Sequence, residues 1–326
     1  MWFRIGCDLL AEGPKTVKRL AQTNTVPAFT ISVMANDVAH GMPLGMLLNW
    51  GERFLRTSVG VFVIFISCAT GCGWNVLEES ADKNSDAALL FEARKQMNDA
   101  KWADAITLIQ KMSQEGQTKR ETRATLASAY AGRCGLNLIH MADSIAQANG
   151  INFFPVLLRA LRGATSDSIV DCENAEAQIL SIASDPEARL ADENVMMAFI
   201  GFAKVGAILA ANADPSGTGT ADPIFDSCDR GQLSEHDLRQ LGTGLTISIS
   251  SLSASGSSIA AGLADAVTDV CAAAAGINPD FDFCEITDPA DFSAEHLQAL
   301  GTIVKMSDNP GLGTCTGGLM VCGCPP

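Results

Sequence analysis

Cysteine offers the most chemistry in this sequence, because a thiol can form a disulfide or bind a metal. The 326-residue chain contains 11 cysteines. Eight of them follow residue 72, namely Cys134, Cys172, Cys228, Cys271, Cys284, Cys315, Cys322 and Cys324. An even number of cysteines in an exported chain indicates a framework of disulfides, and eight allow about 105 connectivities.

Proximity in the sequence favours some of these connectivities over others. The favoured pairings are Cys271 with Cys284 across the Asn278-Pro279 turn, Cys134 with Cys172 between two successive helical units, and Cys315 with either Cys322 or Cys324. The alternative is metal binding at Cys322-Gly-Cys324. Zinc sites usually show paired cysteine motifs or nearby histidines, which are absent here. We therefore favour structural disulfides and predict no metal site and no cofactor.

Three histidines follow residue 72, and two of them occur as Glu235-His236 and Glu295-His296, while the third is His140. A His/carboxylate pair could bind a metal or act as a general base. Alternatively, both pairs are ordinary polar residues in the first turn of an exposed helix. When the two segments are aligned on Leu-Gly-Thr, the histidines differ by one position, or about 100° around a helix. We favour the second interpretation.

Acidic residues near the same segments could bind calcium, but they lack the alternating spacing and central glycine of a calcium loop. Asp is also a common turn and cap residue. None of the sequence motifs of serine hydrolases, zinc proteases, phosphate loops or dinucleotide-binding folds occurs in the chain. The sequence thus predicts no catalytic residue, and we expect a protein that is not an enzyme.

Charge is distributed unevenly along the chain, with 22 basic and 37 acidic residues giving a net charge of -15. Residues 1–71 hold six basic and four acidic residues, a net of +2, so residues 72–326 hold 16 and 33, a net of -17. This balance argues against a nucleic-acid partner and against electrostatic binding to an anionic membrane. The apolar content of 47% excludes a disordered chain.

A short apolar run, Val59 to Cys68, follows Arg53 and Arg56 and precedes small residues. This order is typical of a secretory signal. The run is short for a membrane span, which needs roughly 20 apolar residues. The alternative is a signal anchor or an internal core strand.

The sequence Ala69-Thr-Gly-Cys72 resembles the lipobox of bacterial lipoproteins, with Ala69 where Leu is usual. Ser67-Cys68 is a second, poorer candidate. The resemblance implies that Cys72 carries lipid and that the signal is cut before it. Gly73 in place of Asp then implies the outer membrane, with the protein on its periplasmic face. We therefore expect residues 1–71 to be a leader. Met46 would begin a well-proportioned signal peptide of residues 46–71, with Met34 as a second possible start, and residues 1–45, which show no clear periodicity, are then expected to be a miscalled start.

Residues 72–86 are expected to be a polar tether, with Ser85 as the N-cap of a first helix. Apolar spacing over residues 87–113 predicts two helices with a break at Asn98-Asp99. The two helices would form a hairpin that needs further partners to be stable.

This hairpin resembles a tetratricopeptide unit in Ala93 and in Lys101-Trp102-Ala103-Asp104-Ala105-Ile106. A fainter second unit contains Leu126 to Gly132, with Tyr130 placed 34 residues after Gln96, which is the repeat length of the family. The resemblance covers roughly 60 residues. It implies that Ala93, Trp102, Ala105 and Tyr130 pack helices together, and that the region 87–211 is a helical stack.

Later segments also predict helices, including Phe153–Leu161, Asp171–Ser184 and Asp192–Ala211. The last of these is apolar on nearly every side and contains Lys204. At this length, and with a charge near its middle, we expect it to be a buried central helix rather than a membrane span.

Residues 212–326 contain an internal repeat. Phe225 to Cys228 matches Phe281 to Cys284, and Leu233 to Thr243 matches Phe292 to Thr302. In each copy a serine, Ser234 or Ser293, is expected to cap a helix. A segment rich in Ser, Ala and Gly, Leu245–Ala275, follows the first copy. Such a composition lets helices pack closely or marks a flexible stretch, and the apolar residues within the segment favour close packing.

The sequence therefore predicts an all-α protein of antiparallel helical hairpins with a disulfide-linked C-terminal part, in one domain or in two divided near residue 215. The expected function is a non-catalytic scaffold or adaptor lipoprotein that binds other envelope proteins through a helical-repeat surface. The alternative is a lipoprotein that binds a small ligand or a metal.

Overall fold

The described part of the chain is built from helices. The computed structural model describes residues 82–146, 153–256, 281–307 and 311–325, together with the isolated positions 268, 272 and 275. Within these ranges the chain forms no β-strand, although an isolated bridge pairs Met306 with Cys315. The all-α prediction is thus confirmed for the described residues.

Eleven α-helices lie in these ranges, and two short 3₁₀ segments, Pro186–Ala188 and Pro289–Asp291, accompany them. The helices are α1 Asp86–Asn98, α2 Trp102–Gln110, α3 Gln114–Thr118, α4 Arg120–Cys134, α5 Leu138–Ala146, α6 Phe153–Ala160, α7 Ser166–Ile182, α8 Ala191–Ala213, α9 Glu235–Ser255, α10 Ala294–Lys305 and α11 Leu319–Cys322.

The first two helices form the predicted antiparallel pair. Ser85 caps α1 by accepting a hydrogen bond from the backbone N–H of Ala88, which satisfies one of the free donors of the first turn. The connection between the helices turns at Ala100, which has a φ of 56°. The predicted break at Asn98-Asp99 therefore lies where the chain leaves α1.

The four residues that carry the tetratricopeptide resemblance lie along the contact of α1, α2 and α4. Ala93 and Ala105 are fully buried in one apolar cluster. Trp102 is half-buried, and its ring lies so close to Gly132 that a Cβ there would come within 2.6 Å of it. Tyr130 packs against this cluster and also against the main core.

The second helical pair differs from the one that the resemblance implies. A second tetratricopeptide unit would pair α4 with α5, but the main neighbour of α4 is α7. Arg133 forms an ion pair with Asp171, and Cys134 forms a disulfide with Cys172. The predicted pairing of Cys134 with Cys172 is present, and it ties α4 to α7.

Helix α8 forms the centre of the fold. It is long and apolar enough to cross a membrane by length and composition alone, but 83% of its most apolar window is buried inside the structure. It packs against α4, α6, α7 and, most extensively, α9. As predicted, α8 is a buried core helix.

Small residues let α8 and α9 approach each other closely. Gly201 lies against the backbone of Gly244, where an added Cβ would come within 2.5 Å of the Gly244 carbonyl oxygen. The hydroxyl of Ser248 also donates a 2.9 Å hydrogen bond to the carbonyl of Ala198. The prediction of close packing is confirmed for the part of the Ser-, Ala- and Gly-rich segment within α9, which ends before Gly256.

Replacing Gly201 with Ala should therefore destabilise the protein. In an unconstrained helix this change would stabilise by about 1 kcal/mol, because Ala is the better helix former. Here the added methyl group meets backbone, so we expect a net loss of about 1–3 kcal/mol in the free energy of unfolding. Urea unfolding followed by circular dichroism measures it. A gain in stability would contradict the close approach of the two helices.

One helix boundary differs from that expected. Helix α7 begins at Ser166 rather than at Asp171, because Thr165 is its N-cap and the backbone N–H of Thr165 donates to the hydroxyl of Ser168 in the first turn. The main apolar cluster runs from Ala127 to Val304 and thus includes residues on both sides of the loop at 212–223. Asp82–Pro326 form one compact unit.

Candidate functional site

The two copies of the internal repeat have the same local structure. Ser234 and Ser293 cap α9 and α10, as predicted. In the preceding loops Asp226 and Asp282 each accept a hydrogen bond from the backbone N–H of a cysteine two residues later. These aspartates organise turns, which is the interpretation favoured over calcium binding.

Each copy also contacts the helix of the other copy. The hydroxyl of Ser227, in the first loop, donates to the carbonyl of Gly301 in α10 at 2.6 Å. Conversely, Thr246 of α9 donates to the carbonyl of Ile286, which follows the second loop, at 2.6 Å. These reciprocal contacts make the C-terminal part an interlocked pair, so neither copy is complete alone.

Disulfides reinforce this arrangement. Cys315 is joined to Cys322, one of the two partners predicted for it, and Cys228 is joined to Cys324, a pairing that the sequence analysis did not identify. Cys284 is also disulfide-bonded. The sulfurs of Cys322 and Cys324 thus belong to two different disulfides and are not free to bind a metal together.

Two predicted positions lie outside the described residues. Cys271, the expected partner of Cys284, is one of them, and the proposed lipidation site Cys72 is the other. The leader and most of the tether, residues 1–81, also lie outside this part of the chain.

The histidines do not converge on a common site. His236 is largely exposed, and its Nε2 lies 3.1 Å from Glu173 of α7. The Nδ1 of His296 instead accepts a hydrogen bond from the backbone N–H of Ser293, completing a capping box. His140 is exposed at the start of α5. The described residues contain no group of three or more His, Cys, Asp or Glu side chains that could hold a metal.

A buried charge network at the centre of the fold was missed by the sequence analysis. Lys204 is fully buried, and its Nζ lies 2.6 Å from a carboxylate oxygen of Glu176. The same ammonium donates hydrogen bonds of 2.9 Å to Gln240 and to Thr243. A lysine in an apolar helix indicates that an acidic side chain is buried beside it, but the sequence alone does not identify that acidic residue. The network is buried and connects α7, α8 and α9.

Within the described part of the chain, an open cleft lies between α1, α4 and the start of α8. Its volume is about 560 Å³. Apolar side chains contribute to its walls, including Met97, Ala124 and the exposed Leu190. Charged side chains line it too: Arg94, Arg120, Glu121, Asp192 and Glu193. No residue of this cleft was singled out by the sequence analysis, because the three helices that form it are distant in sequence.

An ion pair holds the two main walls of the cleft together. The guanidinium of Arg120, at the start of α4, binds both carboxylate oxygens of Glu193 in the first turn of α8. Glu193 also accepts a 2.8 Å hydrogen bond from the backbone N–H of Leu190. The hydrogen bonds from Arg120 lower the pKa of Glu193, and burial opposes this effect only in part. The same pair raises the pKa of Arg120.

Acid should weaken this wall-to-wall contact. Because the pKa of Glu193 is lowered on folding, its stabilising contribution is complete above the unfolded pKa of about 4.3 and is lost as pH falls through the folded pKa. The difference in the free energy of unfolding between the wild type and Glu193→Gln should therefore become smaller as the pH falls from 7 to 3. Urea unfolding at a series of pH values measures this difference, and Arg120→Met, which removes the other member of the ion pair, should show the same dependence on pH. A difference that stays constant over this range would contradict the conclusion that the ion pair lowers the pKa of Glu193.

Comparison with known proteins gives no relative for this chain: no protein-family model, no curated protein and no solved structure matches it.

Proposed function

We propose that this protein is a membrane-anchored scaffold or adaptor lipoprotein on the periplasmic face of the outer membrane, and that it binds other envelope proteins without catalysing a reaction. The observation that carries the proposal is the open cleft between α1, α4 and α8. Its mixture of apolar and charged side chains is typical of the surfaces on which proteins dock, where an apolar centre is bordered by polar groups.

The anchoring half of the proposal rests on the sequence. The apolar run before Ala69-Thr-Gly-Cys72 is followed by a polar stretch that leads to the folded unit at Asp82. Several acyl chains on Cys72 would hold the protein stably at a membrane, whereas a single chain binds only marginally. Disulfides within the described residues support export, because disulfides persist in oxidising compartments.

The docking half draws on the helical architecture. The α1–α2 pair, which carries the tetratricopeptide resemblance, contributes Arg94 and Met97 to the cleft. Helical stacks of this kind commonly present extended surfaces to partner proteins. In this proposal the N-terminal helices provide one wall of a binding surface, and the disulfide-linked C-terminal part supports the central helix α8 behind it.

Anchoring is tested by Cys72→Ser in a Gram-negative host. The unmodified protein should fractionate with membranes and carry an acylated Cys72 as its first residue by mass spectrometry. The variant should lose both the acylation and the cut before residue 72. Cys68→Ser is the matched control and should leave both unchanged. An intact leader in the purified wild-type protein would overturn the lipoprotein assignment.

Docking is tested by site-specific photo-crosslinking in living cells. A benzophenone amino acid at Leu190, in the cleft, should give discrete adducts with one or a few envelope proteins, identified by mass spectrometry. The same group at Ile224, an equally apolar residue that is 81% exposed elsewhere on the surface, should not give these adducts. The scaffold role is overturned if Leu190 gives no adducts, or only those that Ile224 gives.

A further inference from the structure

From the charges that line the cleft we infer the chemical class of its partner: a peptide segment in which a bulky apolar side chain lies within one helical turn of a Lys or Arg. This inference rests on the proposed function, because it names what the docking site would recognise.

The apolar half of the inference comes from Leu190. This side chain is 56% exposed although it lies at the start of the central helix, beside Met97 and Ala124 in the same cleft. Burying a Leu side chain fully strengthens a complex by about tenfold to 100-fold in affinity. A partner side chain of similar size would cover Leu190 from the open side of the cleft.

The basic half comes from the ion pairs of the cleft. Arg94 is paired with Glu121 at 2.6 Å, and Arg120 is paired with Glu193. Asp192 is the third carboxylate of the cleft. It is exposed and accepts a hydrogen bond from the backbone N–H of Glu193. Among the described residues it forms no ion pair at contact distance, and its charge acts on Arg120 only over a longer distance.

The cleft therefore presents an excess of negative charge next to an apolar surface, because two arginines face three carboxylates. A basic segment of a partner would balance this excess at Asp192, whereas an acidic segment would add to it. The net charge of -17 over residues 72–326 acts in the same direction at longer range, because it attracts basic segments and speeds their association.

Panning a random 12-residue peptide library against the full chain, purified in detergent, tests the inference. The enriched sequences should share a Lys or Arg within four residues of Leu, Ile, Met or Phe. A synthetic copy of the most enriched peptide should then bind Leu190→Ser, which removes the apolar side chain without changing the charge, at least about tenfold more weakly than the wild type. Leu190 is exposed, and circular dichroism of the variant verifies that it remains folded.

A pair of aspartate variants separates local recognition from overall charge. Asp192 and Asp104 are both exposed and both lie in the first turn of a helix, but only Asp192 lines the cleft. Asp192→Asn should weaken binding about two- to fivefold, whereas Asp104→Asn, with the same net charge, should bind like the wild type.

Three outcomes overturn the inference: a panning that enriches no sequence, enriched peptides without basic residues, or peptides whose affinity is equally affected by both aspartate variants. The photo-crosslinking at Leu190 decides the scaffold role separately. Adducts there combined with a failed panning would retain the docking site and discard the basic, apolar partner.

Discussion

Replacing the buried Lys204 with Met should lower the free energy of unfolding by about 3–5 kcal/mol. The change removes the ammonium that lies 2.6 Å from Glu176 and leaves this carboxylate buried without its counter-ion. Gln240 and Thr243 lose a hydrogen-bond donor at the same time. The expected loss comes mainly from the desolvated groups left behind rather than from the strength of the ion pair.

Removing both charges should reverse most of this loss. In Lys204→Met/Glu176→Leu neither member of this pair carries a charge, and apolar side chains of similar volume can pack in the same space, so the free energy of unfolding should return to within about 1 kcal/mol of the wild type or exceed it. Lys305→Met is the matched control. Like Lys204, Lys305 lies in a helix and forms an ion pair with a carboxylate, here that of Asp226, but this pair is partly exposed. This variant should cost at most about 1 kcal/mol.

Urea unfolding of the three variants and the wild type measures these differences. If Lys204→Met costs no more than Lys305→Met, the buried network does not hold α7, α8 and α9 together in the way that the structure indicates. If the double variant is as unstable as the single one, the loss reflects poor packing of Met rather than an orphaned carboxylate.

The sequence predicted that the helix containing Lys204 is buried, but it did not predict that Glu176 is the partner of this lysine. The 3.6-residue spacing of apolar side chains identified α1, α2, α6 and α8, and capping serines identified the starts of α1, α9 and α10, because both signals are local. The burial of α8 also followed from its composition. The identity of Glu176 did not, since it depends on how α7 is rotated against α8.

The same reason explains why the cleft could not be predicted. Met97, Arg120 and Leu190 come from three segments that tertiary packing brings together, and each is unremarkable in its own helix. The histidines of the repeat show the opposite case. Their one-position offset is a local property, and it correctly indicated that His236 and His296 face different surroundings.

Long-range disulfides are the other feature beyond the reach of local reasoning. Short spacing favoured the partners of Cys134 and limited those of Cys315 to two. The bond from Cys228 to Cys324 crosses 96 residues and joins the loop of the first copy to the C-terminal segment. The favoured pairings left Cys228 with either Cys322 or Cys324, and only the three-dimensional structure shows which of the two it is.

Removing this long-range disulfide with Cys228→Ala/Cys324→Ala should therefore cost more than removing the short one. In the chain-entropy account, a bond that closes a loop of about 100 residues stabilises the folded state by about 4–5 kcal/mol, because it restricts the unfolded chain most. Cys315–Cys322 has a sequence separation of only 7, so Cys315→Ala/Cys322→Ala should cost about 2 kcal/mol.

The two pairs make a matched comparison, because Cys322 and Cys324 are both buried and lie two residues apart in the same C-terminal segment. The loss of packing should thus be similar in the two double variants. A difference between their losses in the free energy of unfolding then reflects the different lengths of the loops that the two disulfides close. Cys324 has further anchors, since its N–H donates to Thr302 and its carbonyl accepts from Gln298, so the segment should stay in place without the bond.

Thermal and urea unfolding under non-reducing conditions measure both losses. A larger loss for the long-range variant, with the native circular dichroism spectrum retained, would show that the bond acts mainly on the unfolded chain. Equal losses would instead mean that local packing around the two buried sulfurs dominates, and the entropic account would fail for this protein. Since α10 and the loop of the first copy meet at this bond, the result also measures how strongly the two repeat copies depend on each other.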